Sequence, residues 1–270
     1  MTELTLREIQ LAELDILIEF DKICRVHGLK YSLDGGTLLG AVRHKGFIPW
    51  DDDVDVMMPR TDYEKFIYMI KNGEIVLNDN LEITTDRGPD AIYPFLKLCD
   101  KSVKVSRDEI KEVDYLWIDI FPVDGLPDNL DKANKILKKA KLCRKIISFN
   151  KLTDKKAYKG RHNTLSLFLI VLFAKLYGDK RAFKNLQKFV EKYPYGKMPF
   201  CTKVAWALGK GTERVLELSE NESVIDIEFE GHKFYAVEAW DKFLKGTYGD
   251  YMCLPPEEER VLHGLKAYKN

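Results

Sequence analysis

The chain lacks an excess of charge of either sign. Its 43 Lys and Arg are matched by 43 Asp and Glu. A net charge of zero argues against bulk nucleic-acid binding, which needs a basic excess or patch. Cysteine is scarce and scattered: Cys24, Cys99, Cys143, Cys201 and Cys253 are odd in number and form no Cys-x-x-Cys. No zinc site can be assembled from such spacing, and the pattern predicts reduced, mostly buried thiols of a cytoplasmic protein. No apolar run is long enough for a bilayer, since the most apolar stretch, Leu165–Leu176, has twelve residues. Met1–Glu8 shows no charged-then-apolar signal pattern, and no internal repeat or low-complexity linker occurs. What remains is an ordinary globular composition, 45% hydrophobic and 32% charged over 270 residues. It is enough for a sizeable core in one large domain or two small ones.

Against this background one stretch stands out, Asp34 to Arg60. It holds the pair Gly35-Gly36, a short helical piece, a tight loop, and then Asp51, Asp52, Asp53 and Asp55 within five residues. Like charges a few ångströms apart raise one another's pKa, so such crowding beside an apolar strand calls for a balancing cation. The run Asp53–Met58 alternates as a strand does. Asp53 and Asp55 then share one face, with Asp51 on the same parity, while Val54, Val56 and Met58 face a core. Side-by-side carboxylates on a rigid strand suit one or two Mg²⁺ ions, with Mn²⁺ as a substitute, because such ions take oxygen ligands and leave room for substrate phosphates. Gly36 lies 17 residues ahead of Asp53, and a glycine pair lets backbone approach a phosphate closely. The plainer readings are an acidic turn capping a strand and a simple strand–helix turn.

Elsewhere the pattern is mixed α/β. A helix is predicted over 4–27, with Leu14, Leu17, Ile18 and Cys24 as its apolar stripe and Gly28 as its stop. Leu29–Leu33 reads as a short strand. Thr37–Arg43 reads as a helical turn or two whose N–H groups, with Gly35, Gly36 and Thr37, cradle an anion. Thr61 and Glu64 read as a capping box, with Phe66, Ile67 and Ile70 buried. Leu81–Thr85, Tyr93–Cys99, Val103–Ser106 and Tyr115–Val123 read as strands. Lys97 shares a face with Phe95 and Cys99 and either meets a phosphate, as Arg43 or Arg60 would, or is solvated. Asp119 lies between Ile118 and Ile120, where an unpaired charge is expensive to bury, so it reads as a functional carboxylate. Asp124, before Gly125, reads as a turn residue.

From Asn129 to about Glu220 the pattern turns helical. Asp131–Phe149 is rich in lysine, either a solvated face or a contact for an anionic partner such as a membrane surface or polyanionic acceptor. Leu165–Leu176 is a buried core helix or an interfacial segment docking on membrane beside that basic run. A further helix covers about Lys180–Lys192. Val224–Phe229 and His232–Tyr235 predict a hairpin turning at Glu230-Gly231, followed by a helix over Glu238–Leu244. The tail gathers Tyr248, Asp250, Tyr251, Arg260 and His263, a substrate-facing flap or ordinary packing.

Gly-Gly, a spacer and Asp-x-Asp on a strand resemble the nucleotidyltransferase superfamily with a polymerase-β-like core. The fuller string resembles the LicD family of phosphocholine transferases, of which the fukutin-related proteins are distant cousins. The residues that carry it are Leu33–Gly40, Arg43, Ile48–Val56 and Arg60–Tyr63, then Trp117–Gly125, then Tyr248–Met252 with Pro255, Pro256, Arg260 and His263. The resemblance implies an α/β (α+β) fold with a nucleotidyltransferase-like mixed sheet. It also implies a catalytic core over 1–128, a helical, basic and partly apolar segment over 129–220 on the acceptor or membrane side, and a C-terminal hairpin, helix and tail over 221–270. Asp53, Asp55 and Asp119 would be the metal and catalytic carboxylates, with Asp53 and Asp55 on the bridging and nucleotide-side metals. Asp119 would complete the nucleophile-side metal and accept the hydroxyl proton. Gly35, Gly36, Thr37, Arg43, Asp51, Arg60, Lys97, Arg260 and His263 would bind substrate. The implied reaction moves phosphocholine from CDP-choline to a sugar hydroxyl of a teichoic acid or surface-polysaccharide precursor, releasing CMP. That glycan acceptor would be free or lipid-linked, the enzyme would sit in the cytoplasm or at the inner face of the membrane with contact through 129–176, and nucleic acid would play no part. A bound choline would rest on aromatic faces, for which Trp50, Tyr93, Trp117, Tyr248 and Tyr251 are candidates. Alternatives are a nucleotidyltransferase using an NTP, or transfer of ribitol or glycerol phosphate from its CDP form.

Overall fold

The structure is a computed structural model and describes residues 2–88, 91–106, 115–151, 164–209, 212–260 and 264–269. The chain opens with β1 (Thr2–Glu3). Thr5 and Glu8 then form a capping box that starts α1 (Leu6–His27), and Gly28, in the left-handed region at φ 61°, ends it. Ile9, Leu14, Leu17, Phe20 and Cys24 make the buried face of α1. After β2 (Ser32–Leu33), α2 (Gly35–His44) begins at the glycine pair rather than at Thr37. Gly35 takes φ 52°, which turns the chain from strand into helix without a Cβ penalty.

β3 (Asp55–Pro59) buries Val56, Met57 and Met58, and α3 (Arg60–Lys71) follows at once. The expected Thr61–Glu64 capping box does not form. The helix starts on Pro59, ahead of Thr61, and Glu64 instead accepts from Arg60 at 3.2 Å and Arg87 at 2.8 Å. β4 (Leu81–Ile83) lies beside β5 (Leu96–Ser106), a single strand where two were expected, with an irregularity between Asp100 and Lys104 joining the halves. β6 (Tyr115–Leu126) outruns its predicted end. Asp124 is therefore a strand residue and not a turn residue; it is buried and paired with Arg60 at 2.7 Å.

The middle segment contains α4 (Leu130–Lys151), α5 (Thr164–Tyr177) and α6 (Asp179–Lys192). It is not wholly helical. β7 (Phe200–Thr202) pairs with Asp124–Leu126, using the backbone groups that the longer β6 presents, and β8 (Leu216–Glu217) pairs with β7. Nor is α5 a buried core helix: Phe168, Leu169, Leu172, Phe173 and Leu176 are exposed. α7 (Leu218–Glu222) leads to the predicted hairpin of β9 (Val224–Phe229) and β10 (His232–Val237), then α8 (Trp240–Tyr248) and β11 (Lys266–Lys269).

Among the described residues the main sheet has nine strands, ordered β1-β11-β5-β6-β3-β2, with β4 on β5 and β7-β8 on β6. β3 runs parallel to β6, and the neighbouring ladders are antiparallel. The fold is α+β with a mixed sheet. One core unites this sheet with α1, α2, α3 and the hairpin, and a second lies among α4, α5, α6 and the end of β6. Cys24, Cys99, Cys143 and Cys201 are buried free thiols, and Cys253 is an exposed one.

The hairpin turn is fastened to the loop that precedes the acidic run. Glu230 accepts from Arg7 at 2.6 Å and from the Phe47 N–H at 3.0 Å, and its own N–H donates to the Lys45 carbonyl at 2.8 Å. The Arg7 guanidinium, against partial burial and helped by the Phe47 N–H, holds the Glu230 carboxyl below its ordinary pKa. A folded pKa below the unfolded one gives stability that is present above the unfolded pKa and lost as pH falls through the folded one. Glu230→Gln is therefore expected to lower the unfolding free energy by about 1 kcal/mol at neutral pH. The gap from wild type should shrink as pH drops from about 5 toward about 3, followed by denaturant melts. Gly125 poses a second test: a Cβ there would meet the Tyr193 and Pro194 carbonyl oxygens at 2.6 and 2.9 Å. Both contacts are backbone atoms and not the far ends of flexible side chains, so Gly125→Ala should cost about 1–3 kcal/mol in the same melts.

Candidate active site

Register alone builds the centre of the site. Asp55 of β3 stands opposite Asp119 of β6, and Asp119 stands opposite Lys97 of β5. Residues directly opposite in adjacent strands project to the same face. Asp55, Asp119 and Lys97 thus form a row across three strands. Lys97 Nζ lies 2.9 Å from Asp119 Oδ1 and 3.8 Å from the Trp117 ring centroid. It is 3% exposed, so the solvated reading of Lys97 falls and its ammonium belongs to the carboxylate row.

Asp55 opens β3, and Asp53 sits just before the ladder. The Asp119 N–H already bonds the Val54 carbonyl at 2.9 Å, which fixes the approach of this end of β3. The Asp55 N–H donates to Thr37 Oγ1 at 2.9 Å, and the Asp55 carbonyl accepts from the Asp34 N–H at 3.0 Å. These two bonds fasten the start of α2 to the start of β3. The glycine pair lies against the acids themselves. A Cβ on Gly35 would stand 3.1 Å from Asp55 Oδ2, and one on Gly36 would stand 2.5 Å from Asp51 Oδ2. The Asp34 side chain does not cap α2; it is buried and paired with Lys203, so the positive N-terminal end of α2 is left to the acidic loop.

Burial and crowding together act on these carboxyls. The Asp55 carboxyl is raised well above its ordinary pKa, first by burial, then by Asp53, Asp119 and Asp51, with Lys97 opposing. Glu13 of α1 is raised likewise, by burial and then by Asp53, Asp52, Asp51 and Asp119. It is 1% exposed, and its Oε2 has no hydrogen-bond partner. Three residues away, Gln10 donates to the Asp51 carbonyl at 2.9 Å. Asp52 takes a structural part, its Oδ2 accepting the Leu265 N–H at 3.2 Å. Asp53 and Asp119 are the two carboxylates that act most strongly on the buried Asp55. Among the described residues no three His, Cys, Asp or Glu side chains stand as a ready-made shell.

The remaining candidates divide. Tyr248, at the end of α8, points its hydroxyl at Gly35, and its pKa is pushed up by burial and by Asp55. Arg43 donates to the Tyr251 carbonyl at 2.7 Å and the Cys253 carbonyl at 3.3 Å, which pins the tail on α2. Arg260 lies over the Trp50 ring at 4.9 Å and donates to the Pro255 carbonyl at 3.0 Å. Arg60 stands at the far end of β3 from Asp55, engaged by Asp124 and Glu64. His263 lies outside the described residues. Sequence reasoning missed Glu13, Asp34 and Lys203. Glu13 had a signal, since Gln10, Glu13, Leu14 and Leu17 share the i, i+3, i+4, i+7 stripe of α1. Lys203 had none, as its partner is 169 positions away.

The same segment of chain is matched in known proteins. A family model described as LicD/FKTN/FKRP, nucleotidyltransferase domain, matches residues 28–145, the segment that supplies α2, β3, β5 and β6. The chain is 33% identical over 266 residues to the lipopolysaccharide cholinephosphotransferase LicD of Haemophilus influenzae, covering 98% of each chain. It is 32% identical over 107 residues to an uncharacterised protein of Rickettsia typhi, covering 36% of this chain and 33% of that one. A short stretch of 29 residues is 62% identical to the human ribitol 5-phosphate transferase FKRP, covering 11% of this chain and 6% of that one. An end-to-end match, together with a family model lying on the carboxylate strands, leaves one conclusion: this chain belongs to the LicD family of nucleotidyltransferase-domain proteins.

Proposed function

We propose that this protein transfers phosphocholine from CDP-choline to a sugar hydroxyl of a lipopolysaccharide, teichoic acid or related surface-glycan precursor, releasing CMP. One observation carries the reading: Asp55 and Asp119 face each other across the parallel β3–β6 pair, beneath the tight Gly35 turn. The Haemophilus influenzae relative supports phosphocholine as the group moved. The donor set fits Mg²⁺, with Mn²⁺ as a substitute, because Asp53, Asp55 and Asp119 offer only carboxylate oxygens. Burial drives the Asp55 carboxyl up, and Asp53, Asp119 and Asp51 push it further; that second, repulsive part is what a divalent cation would relieve. Bound there, the ion would neutralise charge on the phosphate oxygens.

The protein's own groups do the rest. The N-terminal N–H groups of α2, with Gly35 and Gly36, receive the pyrophosphate. The sugar hydroxyl attacks the choline-side phosphorus in line, a new O–P bond forming as the P–O bond to CMP breaks. Its proton passes to Asp119, which Lys97 holds in place from β5. The quaternary ammonium needs an aromatic face. Tyr251 is buried with its hydroxyl on Asp241 at 2.6 Å, Trp117 and Tyr93 lie under Lys97, and Trp50 lies under Arg260, so the exposed Tyr248 is the better face.

The test is Mg²⁺-dependent CMP release with a surface-glycan acceptor supplied, comparing CDP-choline, CDP-ribitol and CTP. CDP-choline should be preferred, and Asp55→Asn or Asp119→Asn should lower turnover at least about 100-fold. A preference for CDP-ribitol would favour the chemistry of the human relative, and pyrophosphate release from CTP would make this a nucleotidyltransferase. Unchanged turnover in Asp55→Asn would remove the site. Gly36→Ala probes the glycine turn separately. Its Cβ forces the Asp51 carboxylate aside, so turnover should fall roughly tenfold or more while Tm stays near wild type.

A further inference from the structure

The helical middle segment carries a surface that the reaction does not use. α5 packs against α4 and α6 through Val171 and Ala174, and Asn150 of α4 donates to the Ala174 carbonyl at 3.0 Å. Its outward side is apolar too. Phe168, Leu169, Leu172, Phe173 and Leu176 are 61%, 55%, 41%, 49% and 78% exposed. Their spacing of i, i+1, i+4, i+5 and i+8 puts them on one helical face. Five large apolar side chains on one exposed face are more than a surface scatters by chance, and such a patch marks an interaction site.

The flanking helices say what covers it. α4, α5 and α6 together hold fourteen Lys and Arg against three Asp and Glu, in a chain whose net charge is zero. Lys135, Lys138, Lys139 and Lys145 on α4 are exposed, as are Lys180, Arg181, Lys184 and Lys188 on α6. A polyanion alone would answer the charge and leave the apolar face in water. A second copy would answer the apolar face and set basic helices against each other. An anionic lipid surface answers both: acyl chains take the Phe and Leu side chains, and headgroups take the lysines. The fourteen residues of α5 span about 21 Å, short of a bilayer core of about 30 Å. Among the described residues no helix is long and apolar enough to cross a membrane. We infer that α5 lies in the interface of an anionic membrane, with α4 and α6 as its electrostatic flanks. This surface is independent of the donor that the carboxylate row takes.

The test is sedimentation of the whole protein with vesicles of phosphatidylcholine, with and without about a third phosphatidylglycerol, at low and high salt. Binding should require the anionic lipid and weaken as salt rises. Leu169→Gln/Phe173→Gln should reduce partitioning at least roughly tenfold, since two buried apolar side chains are lost. Its CMP release with a water-soluble acceptor should match wild type. Failure to bind anionic vesicles at low salt, equal binding to neutral vesicles, or full binding by the double variant would each overturn the inference. So would a wild-type dimer in analytical ultracentrifugation that the double variant turns into monomer, which would give the face to a second copy. Capture of a single-stranded oligonucleotide as tight as that of anionic vesicles, and unaffected by the double variant, would give the helices to a polyanion.

Discussion

Like-charge repulsion in a confined space is the constraint around which the candidate site is organised. Burial first, and then the neighbouring carboxylates Asp51, Asp53 and Asp119, lift the carboxyls of Asp55 and Glu13 well above their ordinary range. Left to itself, such a group would spread into solvent. It is held because its members sit on elements that cannot yield. Asp55 and Asp119 are locked by strand register, and Glu13 by a helix packed on the sheet. The row therefore stores unfavourable charge that a cation or the Lys97 ammonium can offset, which is the state expected of a site built to receive a charged ligand.

Holding the acidic loop takes contributions from distant parts of the chain. Gln10 in α1 bonds the Asp51 carbonyl, Leu265 near the C-terminus bonds Asp52, and Glu230 in the hairpin turn bonds Phe47 ahead of the loop. Lys203, after β7, reaches Asp34 at the mouth of α2. None of these contacts supplies chemistry. Each removes a direction in which the loop could relax away from its own repulsion. That is why the middle segment, which carries little of the sequence pattern around the carboxylates, is still part of the structure that supports them, as the tail is.

The parts of this arrangement legible in the sequence were those set by short-range periodicity. Alternation over Asp53–Met58 and the apolar setting of Asp119 placed the two strands, and the glycine pair marked the turn. The register that puts Asp55 opposite Asp119, and Lys97 beside it, was not legible. It depends on strand pairing between separate segments, more than 60 positions apart for Asp55 and Asp119. Asp124 looked like a turn residue because Gly125 follows it, yet Arg60 draws it into the sheet, and close packing against Tyr193 and Pro194 explains the glycine better than a turn does. Thr61 and Glu64 satisfied a capping pattern, but Pro59 had already started the helix. At Asp124 a tertiary partner outweighed a local preference, and at Thr61 one local signal outweighed another.

Composition misled in one respect that the fold makes plain. A chain with no net charge reads as indifferent to polyanions, and that is true only if its charges are mixed. Here they are segregated. Three helices carry a strong basic excess, so the remainder, with the carboxylate row at its centre, is correspondingly acidic. The two regions are joined by short-range ties, the β6–β7 ladder and the Lys203–Asp34 pair. The same strand that seats Asp119 is therefore continued, five residues on, into the ladder that anchors the middle segment. The basic helices and the carboxylate row carry opposite fields, and one continuous strand, β6, is common to the ladders that hold both.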